Sequence, residues 1–136
     1  MADISITPAN FDPDDGYTYR DYIAGATLTA GQALYIDSSD SNKAKTALTT
    51  NAATANCVGL AMHAASANQP IRVMTGGVVT IGGTSAAGQP YTLSDNAGGL
   101  AAAADNGSGD YVTVIAVGLS TTKIKLGINV SATAHA

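Results

Sequence analysis

The tripeptide Ala-Gly-Gln occurs twice, at Ala30-Gly31-Gln32 and at Ala87-Gly88-Gln89, and each copy leads into a tyrosine and then a polar turn ("TAGQALYIDSSD" and "AAGQPYTLSDN"). In the first copy Val58-Gly59-Leu60 follows 28 residues after the alanine, and in the second Val117-Gly118-Leu119 follows after 30. Two motifs in the same order at nearly the same separation describe two related units, over about 25–82 and 83–132. Each is too short to bury a sheet face alone, so the pair must pack into one body.

The units read as strands. "KIKLGINV" puts Lys123 and Lys125 on one face and Ile124, Leu126, Ile128 and Val130 on the other, the two-residue period of a half-buried strand. "YVTVIAVGL" (111–119) is almost wholly apolar and rich in β-branched residues, which predicts a fully covered central strand. "IRVMTGGVVTIGG" predicts two short strands joined by a tight hairpin turn at Gly76-Gly77. "SDSNK" (39–43), "SDNAGG" (94–99) and "DNGSGD" (105–110) are turn chemistry. The alanines of "TTNAATANCVGLAMHAASANQ" permit a short helix, but the strand-like "CVGLAM" inside it argues against a long one.

Residues 1–23 differ from the rest. They hold Pro8 and Pro13, an acidic group and Tyr17, Tyr19 and Tyr22, with no helical period. Proline pushes its predecessor towards extended backbone. The expected fold class is therefore all-β: a small β-barrel or sandwich built from two related β-units. An extended N-terminal arm over 1–23, without a core of its own, precedes a single domain over 24–136.

Composition narrows the function. The chain has 136 residues, no Trp and one Phe, so small aliphatic side chains must fill the core. These bury little area each, at about 25 cal/mol per Å², and help from a partner surface or self-association is expected. Charged residues are 12% of the chain, about half the usual share, which suits a surface made to touch protein. Six Lys and Arg face ten acids, and the pI is about 4.6. That balance argues against a nucleic-acid groove, which needs clustered positive charge. No apolar run reaches the ~20 residues of a membrane span, and no signal peptide is visible. A soluble product made in the cytoplasm is expected. The single cysteine, Cys57, reads as a buried thiol.

Catalytic chemistry is sparse, and the chain is read as no enzyme, with no cofactor. His63 and His135 are the two histidines, and there is no Glu. "GTSAAG" approaches a nucleophile elbow, but Ala87 stands at its last glycine position. As a phosphate loop it fails at Gln89-Pro90, where Lys-Ser/Thr is required. A Cys57–His63 dyad lacks a third, orienting group. Asp12, Asp14, Asp15 and Asp21 offer oxygen ligands to a hard cation. Counted from Asp12, however, Gly16 falls fifth rather than sixth in an EF-hand frame, and the segment reads as a solvated acidic turn with no metal. The arm instead concentrates Tyr and Arg, which anchor protein contacts. Phe11, Asp12, Asp14, Asp15, Tyr17, Tyr19, Arg20 and Tyr22 are its candidate contact residues, either for a partner or for capping the chain's own body. Tyr17 and Tyr19 are expected on one side of the extended segment, with Arg20 on the other.

In order and spacing, "AGATLTAGQALYIDSSDSNKAKTA", "CVGLAMHAASANQPIRVMTGGVVTIGG", "AAGQPYTLSDNAGGLAAA" and "VTVIAVGLSTTKIKLGINVS" resemble the capsid cement, or head-decoration, proteins of tailed bacteriophages. The resemblance covers nearly the whole chain. It implies a small β-fold on the outer surface of the mature virion head, bound to the major capsid protein. It also implies self-association as a homotrimer, or in some phages a homodimer, synthesis in the host cytoplasm, and no catalytic residues. Two rival classes remain. A cellular fibre, surface-layer or adhesive β-module would carry a secretion signal or further repeats. A small-molecule-binding barrel would need an aromatic-walled cavity, for which Tyr35, Tyr91 and Tyr111 are meagre material.

Overall fold

Alternating apolar residues and frequent glycine turns produce strands joined by tight connections. A computed structural model of the chain describes residues 3–105 and 107–134, with side chains described as far as Ser131. His135 and Asn106, the latter within the third turn segment, lie outside the described residues. Among the described residues there are ten strands: β1 (Asp12–Pro13), β2 (Thr18–Ile23), β3 (Ala33–Asp37), β4 (Lys43–Thr46), β5 (Cys57–Ala61), β6 (Pro70–Thr80), β7 (Pro90–Leu93), β8 (Leu100–Ala102), β9 (Tyr111–Gly118) and β10 (Lys123–Ala134). They form an all-β, antiparallel sheet curled into a half-barrel.

The sheet runs β4-β3-β5-β6-β10-β9-β7-β8, while β1 and β2 pair with β6 off this path. The order is palindromic: β3–β6 and β7–β10 make the same pattern, and the halves join where β6 meets β10. The duplication extends to single hydrogen bonds. Gly31 N–H donates to Ala61 O and Ala61 N–H to Gln32 O; Gly88 N–H donates to Gly118 O and Gly118 N–H to Gln89 O. Both units also carry a β-bulge at the same place, between Leu34 and Tyr35 in one and Tyr91 and Thr92 in the other. All of these equivalences keep the 57-residue offset that separates Gly31 from Gly88. The Val-Gly-Leu match does not: by backbone pairing Leu60 corresponds to Val117, because Ala33 faces Leu60 and Pro90 faces Val117. The second motif of the repeat is therefore displaced by two residues from its true equivalent.

Two strand expectations are corrected. Gly76-Gly77 is no hairpin turn; β6 is a single strand of 11 residues. Gly77 has φ +109°, and the strand bends there, leaving β2 and β5 behind and continuing alongside β1 and β10. Glycine supplies the positive φ at no steric cost, so the same residues that permit a turn permit a bend. β9 is not fully covered: Thr113, Ile115 and Ala116 are buried, but Val117 is 40% exposed. The alternation of "KIKLGINV" holds, with Ile124 and Leu126 buried and Lys125 exposed. The alanine-rich stretch before β5 forms turns.

The main core gathers Ala33, Cys57, Leu60 and Met74 from the first unit and Tyr91, Leu93, Leu100, Ile115, Ile124 and Leu126 from the second. A smaller cluster fills the other face of the first unit, with Leu28, Leu34, Ile71 and Val73. The N-terminal segment is extended, and it lies on its own body rather than apart from it. Ile4 N–H bonds Leu100 O beside β8, Thr7 N–H bonds Ile81 O, and Gly25 N–H bonds Ala44 O in β4. The segment and the two residues that follow it thus meet both outer strands of the sheet path. Phe11 enters the main core of the body, in keeping with a segment that has no core of its own and caps the chain's body.

Candidate functional site

Each arm residue has a definite place. Phe11 is buried, so it is not a surface contact. Asp12 is exposed on β1 opposite Thr80. Asp14 pairs with Lys123 at 2.8 Å, and Asp15 is exposed in the turn beside it. Tyr17 is half-buried against the main core and Tyr22 against the smaller one. Tyr19 and Arg20 are exposed on β2. The eight candidates therefore divide: one core residue, two half-buried tyrosines, and a surface set along the turn and β2.

Within this set, Tyr19 is held by a residue that sequence reasoning missed. The β2–β6 register puts Asp21 opposite Arg72 and Tyr19 opposite Met74. Arg72 Nε donates to Asp21 Oδ1 at 3.0 Å, and the guanidinium carbon stands 4.0 Å from the Tyr19 ring centroid. Asp21 holds the Arg72 guanidinium above its ordinary range, chiefly through that hydrogen bond. The Tyr17 and Tyr19 rings are 5.9 Å apart, on one side as expected. Stacking of a cation on an aromatic face contributes about 0.5–1 kcal/mol at exposed sites. Its larger effect here is to hold Tyr19, which is 46% exposed, in one orientation. An aromatic ring fixed before binding loses little entropy on binding. No sequence signal marks Arg72, because only the strand register brings it to Asp21.

The groups considered for catalysis are each committed to the fold. Cys57 Sγ contacts Gly59 O, and burial pushes its thiol up to about 12. His63 accepts the Arg72 backbone N–H at Nε2 and bonds Ala64 O through Nδ1. The Ser85 hydroxyl donates to Ser120 O. In the would-be phosphate loop the Ser85, Ala86 and Gly88 N–H groups bond Thr121 O, Tyr91 Oη and Gly118 O, so they do not converge on a ligand. No group of three or more His, Cys, Asp or Glu side chains that could hold a metal ion occurs among the described residues. On the face of β2 that carries the braced Tyr19, Ile23 is also exposed, at 42%, while Arg20 is exposed on the opposite face.

Compared with models of known protein families and with curated proteins, the chain matches none.

Proposed function

We propose that this chain is a structural virion protein that binds the exterior of the expanded phage capsid and stabilises it against internal DNA pressure. Its partners are the major capsid protein and further copies of itself, as a homotrimer with a homodimer as the alternative. The sequence resemblance motivates the reading. The observation that supports it is the exposed Tyr19 of β2, held in place by Arg72 and Asp21. The net charge of −4 suits a position outside the shell, away from DNA.

The mechanism is mass action. A protein that binds only the expanded shell favours it by RT ln(1 + [L]/Kd) per site, about 2.7 kcal/mol when its free concentration is 100 Kd. Repeated over many sites, this dominates resistance to rupture. Sites that span several coat subunits exist only after those subunits rearrange, so expansion creates the binding surface.

Co-sedimentation with undecorated phage heads, expanded and unexpanded, tests the proposal. Saturable binding to expanded heads alone, weakened by Tyr19→Ala with Ile23→Ala, is the expected result. Full-length protein that ignores both kinds of head would remove the reading. Truncation at Ala24 would be a poor test, because it deletes Phe11 from the core and β2 from the sheet.

A further inference from the structure

The duplicated units are not covered alike. In the first unit a row of directly opposed residues, Ala33–Leu60–Met74, crosses β3, β5 and β6, and all three are fully buried. The equivalent row in the second unit is Pro90–Val117–Lys125, across β7, β9 and β10. Pro90 and Lys125 are exposed and Val117 is 40% exposed. Leu119, the counterpart of half-buried Met62, is 48% exposed. Half of the exposed large hydrophobics of the described chain thus lie on this one face.

The first row is buried in the main core against Tyr91, Leu93, Leu100 and Ile115 of the second unit, and the first turn is covered by the N-terminal segment. A Cβ on Gly31 would stand 2.5 Å from Ile6 Cγ2 and 3.5 Å from Phe11 Cδ2, so the N-terminal segment sits directly on the first Ala-Gly-Gln turn. Phe11 belongs to the same packed cluster as Ala33, Leu60 and Met74. The second turn has the same conformation, with φ +78° at Gly88 against +89° at Gly31. Yet nothing lies within 4 Å of a Cβ placed on Gly88. The covering segment is apolar and then acidic, since Phe11 is followed by Asp12 and Asp14, and Asp14 pairs with Lys123. Beside the uncovered turn, Lys125 has no carboxylate partner among the described residues.

We infer that the second Ala-Gly-Gln turn, with Pro90, Val117, Leu119 and Lys125, is a docking seat for an extended apolar–acidic segment of a partner protein. The occupant has the chemistry of this chain's own segment: bulky apolar side chains spaced like Ile6 and Phe11, then a carboxylate that reaches Lys125. Burial of Val117 and Leu119 supplies the affinity, and the lysine sets polarity and register. The seat does not depend on the capsid reading, because it is defined by the repeat and involves neither Tyr19 nor Arg72.

A labelled peptide of residues 3–15 is the probe, titrated into the full-length protein by fluorescence anisotropy and followed by amide chemical-shift mapping. Saturable binding is expected, with shifts centred on Gly88, Val117, Leu119 and Lys125. Val117→Asp with Leu119→Asp should weaken it at least about tenfold, because the apolar contact area is lost and the new carboxylate directly opposite Lys125 competes for the cation that the occupant's acid would reach. Both side chains are exposed, so thermal unfolding of that variant should match wild type. Lys125→Glu should weaken binding by a smaller factor that shrinks at high salt. Shifts centred on Gly31 and Leu60, insensitive to Val117→Asp with Leu119→Asp, would mean exchange with the intrinsic segment and would overturn the inference. So would no binding at millimolar peptide. Sedimentation equilibrium supplies a third refutation: if Leu119→Asp dissolves a self-associated species, the face is occupied by a second copy rather than by another protein's segment.

Discussion

Matched alanine substitutions at Gly31 and Gly88 separate backbone strain from the seating of the N-terminal segment. Both glycines have clearly positive φ, +89° and +78°, and a left-handed conformation costs a residue with a Cβ about 1–2 kcal/mol. Gly88→Ala meets nothing within 4 Å, so its whole cost is that strain. Gly31→Ala adds a methyl group 2.5 Å from Ile6 Cγ2, and overpacking of that kind costs a further ~1–3 kcal/mol. The expected losses are about 1–2 kcal/mol at Gly88 and ~2–5 kcal/mol at Gly31. At an unfolding entropy of about 2.1 cal/mol/K per residue, 136 residues make 1 kcal/mol equal to roughly 3.5 °C in Tm. Urea unfolding and differential scanning calorimetry on both variants measure the difference. Ile6→Ala in the Gly31→Ala background should recover part of the excess, as a coupling energy in a double-mutant cycle. Equal losses at the two glycines, or no recovery with Ile6→Ala, would refute the claim that the segment is packed onto the first turn.

Three further outcomes are expected. Phe11→Ala should destabilise the protein by roughly 3–5 kcal/mol in urea unfolding, since Phe11 joins the main core; a loss under about 1 kcal/mol would mean that the segment is only loosely attached. Cys57, buried and with its thiol pushed up to about 12 by desolvation, should react with a thiol reagent at pH 8 only at the rate of unfolding, so adding urea below the transition should accelerate labelling; immediate stoichiometric labelling of native protein would contradict its burial. The Asp37 carboxyl is lowered to about 2, first by the Ser39 hydroxyl and then by Lys45, so its contribution is present above its unfolded value of 3.8 and is lost as pH falls towards 2; the stability difference between wild type and Asp37→Asn should be constant from pH 5 to 7 and close below pH 4, and a difference that persists at pH 2 would show that the ionised group is not its source.

The sequence by itself determined the fold class, the duplication and the faces of individual strands. Those signals are local: alternation fixes which side chains of "KIKLGINV" turn inward, and the recurring Ala-Gly-Gln marks the opening of each unit. It also placed Tyr17 and Tyr19 on one side and Cys57 inside. Tertiary structure alone decided which strands meet and in what register. Local chemistry allows Gly76-Gly77 either to reverse the chain or to bend it, and the bend follows from two sets of neighbours along β6 that are distant in sequence. The pairing of Asp21 with Arg72 depends on that register, as does the two-residue displacement hidden in the Val-Gly-Leu match. A period of two says which face a residue occupies but not what lies over that face. For that reason the sequence shows two equal turns, and only the packed molecule reveals that Ile6 and Phe11 cover one of them and leave Gly88, Val117 and Leu119 open.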